Sequence, residues 1–177
     1  MYTPTETVFA PLTKETVPAY IEVGAQSYTE HYLHLWENQD PTPYLETSFI
    51  VKVVIRELND PHCYQYLLKF QEEYVGVLKI VTHQGWGNWA AEDTIYLHRL
   101  YLLKNATGKN IGKAVLDFTQ NFGHSLQKKI IWLEAMKKGK AKNFYQKNGY
   151  AIIGESNVEL SGALAEQKAM WVMAKPI

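Results

Sequence analysis

Apolar and polar residues follow two different periods along this chain, and the changes of period mark its elements. Short apolar or alternating runs predict strands, whereas apolar residues three and four apart predict helices. Strands are predicted at residues 7–12, 63–70, 75–82, 94–103, 130–136, 150–155 and 169–175. Helices are predicted at residues 16–32, 44–58, from the turn after residue 103 to 126, and 140–148.

This order of elements predicts an α/β (α+β) fold with one mixed, strongly twisted sheet flanked by helices. Residues 63–70 and 75–82 are separated by a short polar loop, so we expect them to pair antiparallel. Residues 94–103 are apolar on both faces, which is typical of a central strand. A helix separates that strand from residues 130–136, so these two strands are expected to be parallel. No linker or repeat is evident, and residues 1–177 are expected to form a single domain.

Composition and charge narrow the classes of function. Eighteen Lys and Arg residues balance eighteen Asp and Glu residues, so neither nucleic acid nor an anionic membrane is an expected partner. Cys63 is the only cysteine, which excludes an intramolecular disulfide and a cysteine-cluster metal site, and we expect no metal. Residues 1–6 are polar and do not resemble a signal peptide. No apolar run is long enough to span a bilayer, and a cytoplasmic location is expected.

The turn after the central strand carries the candidate chemistry. It contains Gly108 and Gly112 and leads into an amphipathic helix. Such a turn presents unpaired amides at the positive end of a helix dipole, which suits a phosphate or diphosphate. A Walker A loop is excluded, because only three residues separate the glycines and Ala114 follows Lys113. A Rossmann fingerprint is excluded by the glycine count, and an ordinary strand–helix connection is the plain alternative.

Two segments resemble the GNAT superfamily of N-acetyltransferases. Residues 107–112 read Thr-Gly-Lys-Asn-Ile-Gly and resemble motif A of that family. Residues 141–150 read Ala-Lys-Asn-Phe-Tyr-Gln-Lys-Asn-Gly-Tyr and are similar to its Ala-x-x-Phe-Tyr-Glu-Lys-x-Gly-Phe segment. Thr107 stands where the family usually has Gln or Arg. Asn110 replaces a glycine, and asparagine tolerates positive φ well.

The resemblance implies the GNAT fold, in which a mostly antiparallel sheet has a central parallel pair of strands that splay apart. It also implies acetyl-CoA as the cofactor, a small-molecule amine as the acceptor, and a homodimer as one assembly. The amide of Leu102 is expected to face the acetyl carbonyl because a bulge frees it. Asn143 is also an implied contact of the cofactor. The alternative is that its side chain is simply exposed to solvent. The full implied set is Leu100, Tyr101, Leu102, Thr107, Gly108, Lys109, Asn110, Ile111, Gly112, Lys113 and Asn143.

Tyr145 is the implied general acid, which would protonate the departing thiolate. Its alternative is a helix tyrosine that packs on the sheet beside Phe144. Flanking residues that match the family favour the catalytic interpretation.

His98 is the candidate general base, because a histidine with a pKa near ~6.5 can accept a proton at neutral pH. Strand alternation predicts that Tyr96 and His98 project to the same side as Leu100 and Leu102, and that Arg99 points to the opposite face. A buried core histidine is the alternative, and Glu134 and Glu92 are reserve candidates for the base.

The resemblance extends at lower specificity to the bacterial spermidine/spermine N-acetyltransferases, through residues 27–32, the proline-bounded loop and residues 44–49. A polyamine is therefore the first candidate acceptor, while aminoglycosides, amino acids and protein N-termini stay open. The tryptophans at positions 36, 86 and 89 are candidates to line the acceptor pocket. A coenzyme A-binding sensor without turnover is the second functional class, and a plain interaction scaffold is the third.

Overall fold

The structure, a computed structural model, describes residues 6–177. Residues 1–5, on which the expectation about a signal peptide largely depends, lie outside the described part. The strands are β1 (Val8–Pro11), β2 (Cys63–Phe70), β3 (Glu73–Val81), β4 (Thr94–Leu102), β5 (Ile130–Met136), β6 (Ala151–Asn157) and β7 (Ala169–Pro176). The helices are α1 (Val17–Tyr32), α2 (Thr42–Ser48), α3 (Val51–Leu58), α4 (Ile111–Ser125) and α5 (Ala141–Lys147).

All seven strands lie in one sheet with the order β1-β2-β3-β4-β5-β7-β6. Five of the neighbouring pairs are antiparallel, and β4 with β5 is the parallel pair, as the sequence predicts. That parallel pairing extends only from Thr94–Tyr96 on β4 to Ile130–Trp132 on β5. Beyond these residues the two strands have no pairing, so the sheet opens between them.

Helices cover both faces of the sheet. On the α4 face, α4 and α5 bury residues such as Leu78, Leu97 and Leu133. On the α1 face, α1 to α3 pack over β2 and β3 and bury Leu67 and Val77. No helix within residues 6–177 is long and apolar enough to cross a membrane.

The single helix predicted over residues 44–58 is wrong, because two helices are separated by Phe49 and Ile50. Ile50 has an extended backbone, with φ −116° and ψ 153°. The Phe49 ring is buried against Gly24 of α1, where a Cβ would lie 2.1 Å from the ring. Burial of the ring in this contact outweighs continuation of the helix.

The predicted alternation along β4 is also wrong, because a bulge lies at His98. Arg99 pairs with Lys79, but Leu97 pairs with Ile80, so β4 carries one extra residue between them. Arg99 therefore lies on the α1 face together with Tyr96 and His98. Leu100 and Leu102 pack instead against the core of the α4 face.

Candidate active site

The turn between β4 and α4 has the backbone that an anion site requires. Gly108 has φ +77° and Asn110 has φ +62°, so Asn110 adopts the left-handed conformation predicted for it. The first backbone hydrogen bond of the helix runs from the Ala114 amide to the Asn110 carbonyl, 3.1 Å. Within residues 6–177, the amides of residues 108–113 donate to no other group. Six amides are therefore available at the positive end of α4.

The outer side of this turn is open, and its inner side is packed. A Cβ at Gly108 would meet no atom within 4 Å. A Cβ at Gly112 would lie 3.0 Å from the Phe144 ring of α5. The turn therefore leaves room for a ligand on one side and contacts the Phe-Tyr segment of α5 on the other.

The side chains of the turn have partners of their own. The Thr107 hydroxyl donates to the carbonyl of Lys104 at 2.8 Å. Lys113 forms an ion pair with Asp117 one helical turn further on. The Lys109 ammonium lies 5.7 Å from the centre of the Phe70 ring. Backbone amides, rather than these side chains, are the main donors for an anion at this position.

The edge of β4 that faces the opening in the sheet carries backbone groups without strand partners. The amide of Leu103 donates to Val75 of β3 at 2.8 Å, and alternate residues point the other way. The backbone of Leu102 is therefore directed into the opening. His31 of α1 donates to the Leu102 carbonyl at 3.0 Å, and the Leu102 amide stays without a strand partner. The bulge expected to free this amide lies at His98 instead, and the contact of the amide with an acetyl carbonyl stays a prediction.

Tyr145 of α5 lies near Tyr32 of α1, whose ring contacts that of Tyr101 on β4. The Tyr145 ring contacts those of Phe144 and Tyr150, with centroid distances of 5.2 and 5.7 Å. Its hydroxyl has no hydrogen-bond partner within residues 6–177 and is not enclosed. Burial of the ring raises the pKa of Tyr145, and the nearby phenols of Tyr32 and Tyr150 raise it further. Tyr145 therefore keeps its proton at neutral pH, and its pKa moves away from that of a thiol.

A carboxylate on β5 holds two hydroxyl groups on the α1 face of the opening. Tyr96 donates to Glu134 Oε2 at 2.6 Å, and Ser156 donates to Glu134 Oε1 at 2.5 Å. The Tyr96 ring is stacked on Trp132 at 4.0 Å. Glu134 is partly buried, two residues beyond the last pair between β4 and β5. Glu134 is a reserve candidate for the general base from the sequence alone, but its two hydrogen-bond partners are not evident there.

His98 is stacked on Tyr96, with ring centroids 4.9 Å apart. Its Nδ1 is buried and has no hydrogen-bond partner in the described part of the chain. Burial lowers the pKa of His98 well below its ordinary value, and the charges of Lys79 and Arg99 lower it further. The imidazole is therefore neutral at physiological pH, and the expectation of a pKa near that of free histidine is wrong.

A buried ion cluster lies behind His98. Lys79 and Arg99 share one carboxylate, that of Glu57, with distances of 2.5 and 3.4 Å. Gln65 donates to the same carboxylate at 2.6 Å. Two cations and one anion leave a surplus positive charge, and Nε of Arg99 has no partner in the described residues. This cluster is not evident from the sequence, because its members are distributed over four elements.

Four tyrosines form the wall of the opening on the α1 side. Tyr44 and Tyr101 share a hydrogen bond of 2.7 Å between their hydroxyls. Tyr28 is stacked on Tyr44 at 4.0 Å and on Tyr32 at 5.0 Å. Tyr101, expected as a cofactor contact, therefore directs its side chain toward the α1 face. Its backbone faces β3, where it pairs with Val77.

The remaining predicted site residues lie in different surroundings. Trp36 is 1% exposed and donates to the Tyr28 hydroxyl, so it supports the wall but does not line a pocket. Trp86 and Trp89 are partly buried and line an open pocket together. Asn143 is exposed on α5.

The geometry fits coenzyme A, since free amides for a diphosphate adjoin an opening whose strand edge can pair with an extended arm. A splayed sheet with these features agrees with a protein that uses acetyl-CoA. The acetyltransferase (GNAT) family matches residues 25–150, and the chain belongs to this family. It is an acetyl-CoA-dependent N-acetyltransferase.

Individual relatives are distant. The chain is 22% identical over 145 residues to an uncharacterized N-acetyltransferase in the pepI 3' region of Lactobacillus delbrueckii subsp. lactis, covering 81% of this chain and 84% of that one. The PaiA N-acetyltransferase of Thermoplasma acidophilum, solved in complex with coenzyme A, superimposes with a TM-score of 0.76 at 16% identity, over 97% and 99% of the two chains. A chimera of the spermidine N-acetyltransferase SpeG from Vibrio cholerae gives a TM-score of 0.67 at 10% identity, over 96% and 95%. At these identities the structural similarities establish the fold alone.

Proposed function

We propose that the protein transfers the acetyl group of acetyl-CoA directly to a small primary amine that carries a single positive charge. The observation that carries this proposal is the contiguity of three features. Six free amides at residues 108–113 follow the open edge of β4, and the Phe144 ring, which contacts the Tyr145 ring, packs against Gly112 in the same turn.

Backbone groups hold the cofactor in this proposal. The amides of residues 108–113 bind the diphosphate, with Lys109 as a nearby positive charge. The Leu102 amide donates a hydrogen bond in the opening. Acetyl-CoA, when bound, supplies an acetyl thioester whose carbonyl carbon is open to attack by an amine. Asn143 stays a predicted contact of the pantetheine arm of coenzyme A.

Tyr145 holds a proton at Oη on the side of the opening where the leaving group departs. Because burial raises its pKa, the phenol stays protonated and donates a hydrogen bond throughout the physiological pH range. Its role is therefore to donate a hydrogen bond to the negative charge that develops on the departing sulfur, which stabilises the thiolate without transfer of the phenol proton.

We propose Glu134, rather than His98, as the group that receives the proton of the amine. His98 adjoins two buried cations, so a proton on its ring is disfavoured. The carboxylate of Glu134 carries a negative charge that attracts an ammonium ion, and hydrogen bonds from Tyr96 and Ser156 fix its orientation. It lies on the α1 face, from which an acceptor can approach the opening.

The distribution of charge favours a monoamine over a polyamine. Glu92 lies 3.8 Å from His83, and Asp93 is paired with Lys129 at 2.8 Å. Asp40 accepts a hydrogen bond from the Thr42 amide. Three of the five acidic residues that could attract a polyamine therefore have partners, whereas Glu37 and Glu46 are exposed.

Direct transfer also agrees with the state of the only cysteine. Burial raises the pKa of the Cys63 thiol to about 11, so this group is protonated at neutral pH. It lies at the start of β2, and β3 separates β2 from β4, the strand next to the opening. An acetylated cysteine is therefore not part of the proposed mechanism.

The test is a thiol-release assay with acetyl-CoA and a panel of monoamines, polyamines, amino acids and aminoglycosides. We expect release with at least one monoamine and thermal stabilisation by acetyl-CoA. Ligand at 100 times its dissociation constant adds about 2.7 kcal/mol to the free energy of unfolding. Stabilisation without release for any amine would overturn the proposal in favour of the sensor, and absence of both would favour the scaffold. The homodimer and the cytoplasmic location stay predictions.

A further inference from the structure

We propose that a pocket between Trp86 and Trp89 binds an apolar, preferably aromatic, group of the acceptor, so that the favoured substrates are amines carrying such a group. This inference rests on the proposed function, because it names the chemical class of the amine. It concerns a part of the α1 face that the proposed catalytic residues do not occupy.

An open pocket lies between the two indoles. It has a volume of about 290 Å³ and is lined by Trp86, Gly87, Asn88, Trp89 and Ile153. The two indoles are 6.4 Å apart between centroids and are tilted by 53°. Neither indole is fully buried, so both present apolar surface to the pocket. An aromatic or alkyl group placed between them would remove that surface from water.

Hydrogen bonds restrain the loop that carries the indoles. The amide of Trp89 donates to the carbonyl of Trp86 at 3.1 Å. The carbonyl of Gln84 accepts hydrogen bonds from the Trp132 indole at 2.8 Å and from the Thr94 hydroxyl at 2.9 Å. These hydrogen bonds restrain the loop, which reduces the entropic cost of binding.

The register of the sheet connects the pocket with Glu134. Glu134 pairs with Val172 on β7, and Val172 pairs with Gly154 on β6. The Trp86 indole lies directly over Gly154, where a Cβ would be 2.3 Å from the ring. Two strand spacings separate Glu134 from this indole, roughly 10 Å across the sheet. An amine at Glu134 can therefore direct a substituent a few bonds away toward the pocket.

Charge favours an apolar substituent over a second ammonium group. None of the five lining residues is charged, so a second cation would find no carboxylate there. The buried Lys79 and Arg99 exceed the charge of Glu57 by one on the same face. A polyamine would bring further positive charge toward this cluster, whereas a hydrocarbon group would not.

The test compares kcat/KM for ethylamine, 2-phenylethylamine and spermidine in the wild-type protein and in three variants. We expect 2-phenylethylamine to be preferred over ethylamine by about tenfold or more, as for an apolar group that fills a pocket. Trp89→Ala is expected to reduce this preference at least tenfold. Ile153→Phe, which fills the pocket and removes no indole, is expected to reduce it likewise. Trp171→Phe is the matched control, since Trp171 lies on β7 against Lys137 and outside the pocket, and it should keep the wild-type preference.

The outcomes separate this inference from the proposed function. Two results would overturn the role of the pocket but leave the proposed acetylation of amines in place. One is equal kcat/KM for ethylamine and 2-phenylethylamine, and the other is a preference that Trp89→Ala and Ile153→Phe leave intact. A clear preference for spermidine would overturn both the apolar role of the pocket and the proposal that the acceptor is a monoamine. No turnover of any amine would overturn the proposed function itself. Acetyl-CoA stabilisation of each variant shows that it is folded.

Discussion

The phenyl ring of Phe144 occupies the space next to Gly112, with its Cζ 3.0 Å from the position that a Cβ would take. This contact joins the first turn of α4, which carries the free amides, to α5, which carries Tyr145. The position of the diphosphate site and the position of the phenol are therefore coupled through one glycine. The two sequence segments that resemble the family are in contact in space at this point.

Gly112→Ala is expected to weaken acetyl-CoA binding several-fold and to lower the free energy of unfolding by about 1–2 kcal/mol, since the added methyl group displaces the Phe144 ring. Isothermal titration with acetyl-CoA and urea unfolding measure the two effects. Gly139→Ala is the matched control, because a Cβ there meets only ordinary contacts at 3.5 Å and beyond. Equal affinities for the two variants would contradict the coupling.

Tyr145→Phe is expected to lower kcat by about 10²–10³-fold, the usual contribution of a hydrogen-bond donor placed at a developing negative charge. The dissociation constant for acetyl-CoA should change less than twofold, because backbone amides hold the diphosphate. Steady-state kinetics and titration calorimetry separate the two quantities. Tyr74→Phe, on the exposed hairpin, removes the same hydroxyl elsewhere and should leave both unchanged. A Tyr145→Phe protein with full turnover would remove the phenol from the mechanism.

Glu134→Gln is expected to lower kcat/KM for the amine by about 10²–10⁴-fold, because the amide cannot receive a proton. His98→Gln should lower it less than tenfold, since the imidazole is flanked by two cations and does not hold the proton. Both variants are compared at saturating acetyl-CoA over pH 6–9. The reverse order of effects would return the role of base to His98.

The free energy of unfolding is expected to fall as the pH is lowered from about 6.5. The folded protein holds His98 at a pKa well below that of the unfolded chain, so in this range only the unfolded state takes up the proton. The contribution of His98 is fully present above pH 6.5 and is lost toward its folded pKa, by up to about 1.4 kcal/mol per pH unit.

Urea unfolding at several pH values measures this slope. His98→Gln should flatten it, whereas His34→Gln, a change at an exposed histidine, serves as the matched comparison. An unchanged slope in His98→Gln would show that other groups dominate the acid response.

Glu57→Gln is expected to destabilise the protein by about 3–5 kcal/mol, because it leaves Lys79 and Arg99 buried without a counter-charge. Adding Lys79→Met to this variant should restore part of the loss. Denaturant unfolding measures both, and Glu46→Gln at an exposed position is the control. A loss below 1 kcal/mol for Glu57→Gln would mean that water or a bound anion already compensates the cluster.

Local patterns predicted the elements well where sequence and packing agree. The bounds of β2 and β5 are those predicted, and α1 and α4 end within one residue of the predicted ends. Asparagine tolerates positive φ, and Asn110 adopts φ +62°. These features depend on short-range preferences that a sequence displays directly.

Features that depend on distant contacts were missed. Phe49 interrupts a helical pattern because Gly24, 25 residues earlier, offers a space for its ring. The bulge at His98 is set by the pairing of β4 with β3, and it reversed the predicted faces of Leu100 and Leu102. The hydrogen bond between Tyr96 and Glu134 joins strands 38 residues apart. None of these pairings leaves a signal in a single sequence.

Because the parallel ladder between β4 and β5 is short, β4 has unpaired backbone groups like those of an edge strand, although it lies in the interior of the sheet. From Leu97 onward, the side of β4 that faces β5 has peptide groups without strand partners, so an extended ligand can pair with them. This occurs although β4 lies between β3 and β5 in the sheet order. Edges of this kind usually invite association with other proteins and are avoided. Here the edge lies inside the molecule, between helices, so that only a thin, flexible ligand can complete the sheet.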